Sequence, residues 1–268
     1  MSESRFRGRD SFLRLALRGY VWLVMLFIVA PLVVITAMSF TPTEFLQFPP
    51  SGLSLRWYDS LFASAQWRSA LQNSLVVATV SAVFATTLGG TAAFALDRFD
   101  YRFGSALFAM STLPIMLPPV ILGVAFTIFF IAIGLGRGTW ALVLAHTVFL
   151  TPFPFVLISQ GLEDIDQTYE EAAMNLGARP VRTIRSITVP LLWANIVTGA
   201  LFAFIFSLNE YIIAWLVSGF SFNTIPIKIF TSLRYTYSPV IAAISVLFIA
   251  LTFVVMSVLD YAVGGIWD

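Results

Sequence analysis

Six long apolar stretches alternate with shorter polar segments along this chain. They cover residues 19–40, 71–96, 105–133, 139–161, 191–218 and 239–263. A membrane-spanning helix needs about 20 mostly apolar residues, and each stretch reaches that length. Lipid offers the backbone no hydrogen-bond partners, and the alternation typical of barrel strands is missing. The pattern therefore predicts an all-α polytopic membrane protein with six transmembrane helices, forming one domain over residues 1–268.

Two places along the pattern are irregular. The third stretch contains Pro114, Pro118 and Pro119, which interrupt the backbone hydrogen bonds and predict a kink or a division into two pieces. Residues 41–70 mix proline, glycine and aromatic residues between two spans, a composition that suits a short interfacial helix. A second long connection lies at 219–238.

Composition narrows the class of protein and the chemistry available to it. The chain is 59% hydrophobic and 11% charged, against about 25% charged residues in soluble domains. It contains no cysteine and a single histidine, His146, so neither a thiol nucleophile nor a metal centre is expected. Its basic residues are dispersed among the loops, and no nucleic-acid partner is indicated.

The orientation in the membrane follows from the basic residues of the short loops. With the N-terminus in the cytoplasm, ten lie inside: Arg5, Arg7, Arg9, Arg14, Arg18, Arg98, Arg102, Arg179, Arg182 and Arg185. Five lie outside: Arg56, Arg68, Arg137, Lys228 and Arg234. We therefore expect both termini in the cytoplasm. We also expect the first apolar run to stay as a helix, because it is long and lacks a convincing small-x-small cleavage site.

A polar hairpin at residues 162–190 separates the fourth and fifth spans and is expected in the cytoplasm. Thr168 and Glu171 have the spacing of a capping box at the start of a short helix. Gly177 can end that helix in the left-handed conformation, and Pro180 suits the first position of a second helix. Small residues and charges on one exposed element indicate docking to a soluble partner.

The same hairpin resembles the signature loop of permease subunits of bacterial ABC importers, which docks into a cleft of the ATPase subunit. The pattern is Glu-Ala-Ala, three residues, glycine, nine residues, then Ile-x-aliphatic-Pro. It falls here on Glu171, Ala172, Ala173, Gly177, Ile187, Val189 and Pro190. The resemblance implies that these residues transmit movement of the ATPase, with Glu171 orienting the hairpin and Gly177 permitting its turn.

The whole chain is similar to the second permease subunit of polyamine (spermidine/putrescine) importers. The similar segments are FPPSGLSLRWYDSLF, NSLVVATVSAVFATTLGGTAAFAL, SLNEYIIAWLVSG and TIPIKIFTSLRYTYSPVIAA. This resemblance implies a type I importer permease of the MetI-like fold in a bacterial inner membrane. It also implies a second homologous permease, two ATPase subunits that bind ATP and Mg, and an external substrate-binding protein.

One acid lies well inside a predicted span. Glu210 falls in the outer half of the fifth span, where an unpaired charge costs roughly 2.5–3.5 kcal/mol on insertion scales. With Ser207, Asn209 and Tyr211 it is a candidate site for a cationic solute, and a structural pair with a partner permease is the alternative. His146 is a weaker candidate for the same pathway, since a hydrogen-bonded packing role is the more common one.

The identity of residue 209, an asparagine, affects which solute the sequence predicts. The similar polyamine permeases usually carry paired acids where Asn209 and Glu210 stand. The amide lowers the local negative charge, so an opine, an amino-acid derivative or a quaternary amine is an alternative solute.

An ion-coupled carrier or channel working alone is a further alternative, which internal inverted repeats would support, and none is found. The chain is not expected to hydrolyse ATP itself, because its only lysine, Lys228, lacks the glycine frame of a phosphate-binding loop.

Overall fold

The computed structural model describes residues 3–99, 102–219, 222–235 and 237–263, and these ranges contain helices and no strand. The helices are α1 (Glu3–Ser39), α2 (Arg56–Ala63), α3 (Ala65–Arg98), α4 (Gly104–Met116), α5 (Pro119–Ala132), α6 (Thr139–Leu150), α7 (Pro152–Glu163), α8 (Thr168–Asn175), α9 (Pro180–Thr183), α10 (Val189–Leu191), α11 (Trp193–Asn209), α12 (Ile212–Ser218), α13 (Ile225–Tyr235) and α14 (Val240–Val263). A π-helical turn, Ile184–Thr188, joins α9 to α10. The all-α prediction is confirmed.

The predicted spans correspond to straight and bent helices. Four segments of the described chain are long and apolar enough to cross a membrane as straight helices: Arg14–Ser39, Ala65–Arg98, Thr139–Glu163 and Val240–Val258. The third span is α4 and α5, bent by 110°, and the fifth span includes α11, bent by 69° from the segment before it. The described residues therefore contain six spans when each bent pair of helices counts as one span.

The 110° bend falls where proline removes backbone donors. Leu117 ends α4 in an extended conformation, and Pro118 and Pro119 follow it. Neither proline can donate the amide hydrogen bond that would continue the helix, and Pro119 instead starts α5. The predicted division of the third stretch into two pieces is confirmed.

Two elements differ from the predicted pattern of spans. The prediction of one continuous helix over 191–218 is wrong, because α11 ends at Asn209 and α12 starts at Ile212. The connection 219–238 contains a helix that the pattern does not predict, α13. The short helix predicted within 41–70 is present as α2.

The chain divides into two compact units. One unit is Met1–Ala63 with Tyr235–Ile249. Inside it Trp57 of α2 is buried, and its indole N–H donates to the Thr41 carbonyl at 2.8 Å. The Ser39 and Tyr58 hydroxyls lie 2.8 Å apart and join the end of α1 to α2. The prediction of a single domain over residues 1–268 stays a prediction.

The other unit, Ser64–Arg234 with Ala250–Asp268, is built around α3. Helices α6, α7 and α11 pack on α3, whose buried face consists mostly of small residues: Ala70, Ser74, Val77, Ala78, Ser81, Ala82, Ala85, Gly89, Gly90 and Ala93. In a membrane, where lipid weakens the hydrophobic drive between helices, such faces let backbones approach closely and pack by van der Waals contact. This packing holds α7 and α11, and therefore both ends of the polar hairpin, against one helix.

Gly89 marks the closest of these approaches on α3. A Cβ at this position would lie 2.8 Å from the Thr151 carbonyl oxygen and 2.8 Å from the Phe155 amide nitrogen, which are backbone atoms that cannot rotate away. At the next residue, Gly90, a Cβ would meet only the Ile158 Cδ1 methyl, at 3.2 Å. Gly89 is therefore required for contact between α3 and α7, whereas Gly90 has a movable neighbour.

We expect Gly89→Ala to destabilise the protein by about 1–3 kcal/mol, the range for overpacking a tight contact. Gly90→Ala is the matched control, and its effect should be smaller because alanine also favours the helix. Thermal unfolding of the purified protein in detergent, followed by tryptophan fluorescence, measures both. Equal changes in melting temperature for the two variants would show that the close approach of α3 and α7 at Gly89 does not limit the stability of the protein.

Candidate functional site

The polar hairpin consists of two short helices joined by a tight turn. Helix α8 ends at Asn175, and Gly177 follows in the left-handed region with φ +89°. The Gly177 and Ala178 amides donate to the Met174 and Ala173 carbonyls and close the turn. Pro180 then occupies the first turn of α9. The predicted helix-ending glycine and helix-starting proline are both confirmed.

The start of α8 is capped differently from the prediction. Thr168 is the first residue of the helix and not its cap, and Glu171 makes no reciprocal bond to it. Instead Asp166 accepts hydrogen bonds from the Thr168 amide, at 2.9 Å, and from the Thr168 hydroxyl. These bonds favour the carboxylate and lower the pKa of Asp166. The predicted capping box is therefore wrong, because an acid two residues upstream takes the threonine donors.

The residues of the signature pattern lie mainly on the outer face of the hairpin. Ala173, Ile187 and Val189 are half-buried, and the other residues of the pattern are exposed: Glu171, Ala172, Gly177 and Pro190. Among the described residues the Glu171 carboxylate has no hydrogen-bond or ion-pair partner. Leu176, beside the turn, is 90% exposed. A small, partly apolar surface with one free acid is therefore open to a partner.

Sequence reasoning missed the acid that fixes the hairpin in place. Glu170, next to Glu171, is 8% exposed, and one of its oxygens, Oε1, accepts hydrogen bonds from two other segments. The donors are Arg98 Nη2 at the end of α3, at 2.5 Å, and the hydroxyl of Thr188 in the π-helical turn, also at 2.5 Å. The signal in the sequence was weak: two adjacent glutamates on one short helix, with an arginine in the loop predicted to share their side of the membrane.

The second candidate site lies in the break between α11 and α12. Glu210 is extended, with φ −73° and ψ 125°, and ends α11. Its carboxylate oxygens accept hydrogen bonds from the amides of Ile213, at 2.9 Å, and Ala214, at 2.8 Å, at the start of α12. The predicted position of Glu210, inside a continuous helix, is wrong. The carboxylate satisfies backbone donors that the break in the helix would otherwise leave without acceptors.

His146 and Ser207 complete this site. His146 is 1% exposed, its Nδ1 lies 2.8 Å from the Ser207 hydroxyl, and its Nε2 lies 3.3 Å from Glu210 Oε2. The Nε2 contact lacks the alignment of a hydrogen bond, so it is a close approach of the two groups. The side chain of Glu210 is 8% exposed. Helices α6 and α11 are therefore joined by a buried polar cluster at the break.

The other two predicted pathway residues lie outside this cluster. Asn209 is exposed and donates to the Ile205 carbonyl of its own helix at 2.9 Å. Tyr211 stacks on Phe230 of α13, with ring centroids 4.1 Å apart. The predicted polar patch is thus divided: His146, Ser207 and Glu210 are together, whereas Asn209 and Tyr211 face elsewhere. Within the described ranges no group of three or more potential metal ligands is present.

Comparison with known proteins gives a family and several relatives. Residues 85–266 match the sequence model of the family described as binding-protein-dependent transport system inner membrane component. The putrescine transport system permease protein PotI of Escherichia coli strain K12 is 36% identical over 228 residues, covering 82% of this chain and 81% of that protein. The spermidine/putrescine transport system permease protein PotC of Haemophilus influenzae is 31% identical over 249 residues, covering 93% of each.

Solved structures with low sequence identity share the fold. A bacterial ABC transporter involved in the import of the acidic polysaccharide alginate contains a chain that superposes with a TM-score of 0.71 at 15% identity, covering 98% of this chain and 99% of that one. A chain of the inward-facing MetNI methionine ABC transporter superposes with a TM-score of 0.62 at 20% identity, covering 75% and 97%. At these identities the likeness establishes the fold alone.

We expect Glu210→Ala to destabilise the protein by about 1–3 kcal/mol, because it leaves the buried amides of Ile213 and Ala214 without acceptors. Asn209→Ala is the matched control. It removes an exposed amide from the preceding residue, and its effect should stay within about 0.5 kcal/mol. Thermal unfolding in detergent compares them, and a loss of stability that is the same in both variants would contradict a capping role for Glu210.

Proposed function

Because this chain belongs to the family of binding-protein-dependent transport system inner membrane components, we propose that it is a permease subunit of an ATP-driven importer for polyamines. Its solute is a small cationic amine that an external binding protein delivers. The observation that carries the choice of solute is the similarity to the two polyamine permeases, at 36% and 31% identity over more than four fifths of both chains.

The break in the fifth span limits the number of acidic groups that this chain can offer to a polyamine. Both oxygens of Glu210 already accept backbone hydrogen bonds, and His146 lies beside one of them. A diamine carries two positive charges, and among the described residues Glu210 is the one acid that lies inside a predicted apolar stretch and away from its ends. A permease of this kind therefore shares a polyamine with acids of a second subunit.

The same feature supports an alternative solute of lower charge. Asn209 presents an uncharged amide next to Glu210 and is exposed. An opine, an amino-acid derivative or a quaternary amine requires one carboxylate at most, since such a molecule carries one positive charge or is zwitterionic. The importer machinery is the same in this alternative.

The proposed complex contains a second homologous permease, two copies of an ATPase and the external binding protein. ATP and Mg are bound by the ATPase, since the only lysine of this chain, Lys228, is bonded to Gln66 at 2.6 Å and has no phosphate-binding loop around it. The exposed face of the polar hairpin, with Glu171 and Ala172, is the proposed contact with the ATPase. Its free carboxylate and small side chains suit a cleft lined with donors.

The proposed location is a bacterial inner membrane with both termini in the cytoplasm. Its support is the excess of basic residues on that side, ten against five. In this orientation the polar hairpin faces the compartment that contains ATP. The two permeases and their lipid surroundings would enclose the solute pathway.

The solute is tested by reconstituting the purified complex in proteoliposomes with the binding protein outside and ATP inside. We expect radiolabelled putrescine to accumulate only with ATP, and excess unlabelled spermidine to compete. ATP-driven uptake of a quaternary amine without putrescine uptake would select the alternative solute. Uptake by this chain alone, without ATP or partners, would replace the importer by a stand-alone carrier.

Two substitutions test the contact with the ATPase. Glu171→Ala removes the free acid, and Gly177→Ala strains a turn at φ +89° that a side chain disfavours by about 1–2 kcal/mol. We expect each to lower solute-stimulated ATP hydrolysis by about tenfold, the effect of losing about 1.4 kcal/mol of contact.

Glu163→Gln, an exposed acid at the end of α7, is the control and should leave the stimulated rate unchanged. Membrane insertion is checked by the yield of intact complex. Full stimulated activity in both test variants would exclude this face as the contact.

A further inference from the structure

The Glu170 carboxylate joins three segments that are far apart in the sequence. Glu170 lies in α8, Arg98 is the last residue of α3, and Thr188 ends the π-helical turn that leads into the fifth span. Both donors reach the same oxygen, Oε1, at 2.5 Å each. The polar hairpin is therefore tied at one atom to the second span and to the start of the fifth.

This contact should persist when the segments around it move. The side chains of Glu170 and Arg98 are 10% and 20% exposed, so separating them would leave a charge in a poorly solvated place. The Arg98–Glu170 hydrogen bond joins two ionised groups, and such bonds are among the stronger hydrogen bonds in proteins. Asp97 Oδ2 lies 3.3 Å from Arg98 Nε, an ion-pair contact without the alignment of a hydrogen bond.

The surroundings of the contact are much looser than the contact itself. A cavity of about 450 Å³ lies beside it, and its walls come from α3, α8 and α9 with the π-helical turn: Thr91, Phe94, Ala95, Met174, Pro180 and Ile184 among others. These walls are mainly apolar, and Arg98 and Glu170, which also line the cavity, supply the charged contact between α3 and α8. Helix α8 is therefore attached to α3 by one charged contact beside a largely apolar cavity.

The Thr188 donor sits at an unusual point of the backbone. Ile184–Thr188 is a π-helical turn, a rare conformation that is frequent at functional sites and that bends the helix containing it. Its last residue is the one bonded to Glu170. The hydrogen bond from Thr188 thus connects α8 to the segment that enters α11, and Glu210 directly follows the end of α11.

We propose that the Glu170–Arg98–Thr188 contact is the pivot about which the polar hairpin tilts against α3, so that Glu170 and Arg98 are positioning residues for coupling ATP hydrolysis to transport. This inference rests on the proposed function. Glu171 on the outer face of the hairpin contacts the ATPase, whereas Glu170 on the inner face holds the point about which the hairpin tilts. Two adjacent glutamates of α8 thereby have opposite roles.

The first test measures transported solute per ATP in the reconstituted complex. Glu170→Gln keeps the size and one acceptor oxygen but removes the charge that holds Arg98. We expect basal ATP hydrolysis to remain and putrescine transported per ATP to fall about fivefold or more. The matched control is Glu163→Gln, which removes an exposed acid from the same side of the protein and should keep the wild-type ratio.

A purely stabilising pair predicts a different result. It would lower the melting temperature and the amount of assembled complex, with an unchanged ratio of solute to ATP for each complex that forms. That outcome overturns the pivot. A wild-type complex that shows no ATP-driven uptake of any amine would instead reject the proposed function, so the two failures are distinguishable.

The second test observes the tilt directly and does not depend on transport. The chain contains no cysteine, so Ala95→Cys on α3 and Met174→Cys on α8 give this chain one pair of label sites on the walls of the cavity, and this chain is labelled before assembly with its partners. We expect their distance distribution in the full complex to shift between the nucleotide-free and ATP-bound states. Adding Glu170→Gln should broaden both distributions and remove the shift.

If Glu170→Gln does not assemble, Thr188→Val provides the second variant. It is nearly isosteric, leaves the bond between Glu170 and Arg98, and removes one of the two donors to Oε1. We expect it to keep the complex intact and to reduce the nucleotide-dependent shift. A label distance that is the same in both nucleotide states of the wild-type complex would contradict the pivot.

Discussion

Buried carboxylates in this protein must find hydrogen-bond donors inside the chain, because neither hydrocarbon nor a packed protein interior supplies water to solvate them. Glu210 and Glu170 both meet this constraint: Glu170 accepts from side chains of two distant segments, and Glu210 accepts from two backbone amides at the start of α12. An unpaired buried charge would cost several kcal/mol, and each acid is paired: Glu170 with two side chains and Glu210 with two backbone amides. The break in the fifth span and the attachment of the polar hairpin both follow from this requirement.

The two acids connect regions that differ in packing. Around α3 the helices approach so closely that Gly89 leaves no room for a methyl group. Near Glu170 a cavity separates α3 from α8, and near Glu210 the helix is interrupted. The closely packed helices around α3 lie between a loosely packed hairpin and a broken span. This arrangement is suited to transmit a movement of the hairpin to a change at the break.

The membrane spans and the hairpin turn were predictable because they depend on local patterns. Apolar runs of more than 20 residues require helices in lipid, so the all-α fold follows from the sequence. Gly177 at φ +89°, Pro180 at the start of α9 and the division at Pro118 follow from the allowed backbone conformations of glycine and proline. The exposed positions of Glu171 and Ala172 also agree with a charged hairpin that faces water.

Tertiary structure alone decided which polar residues meet. Glu170 and Glu171 differ by one position, and no periodicity shows which of them turns inward until Arg98 and Thr188 are in place. A continuous apolar run likewise hides the break at Glu210, since its compensating amides belong to residues that read as ordinary helix. Local backbone preference and burial in lipid are properties of a sequence segment, whereas the pairing of buried charges depends on segments brought together by folding.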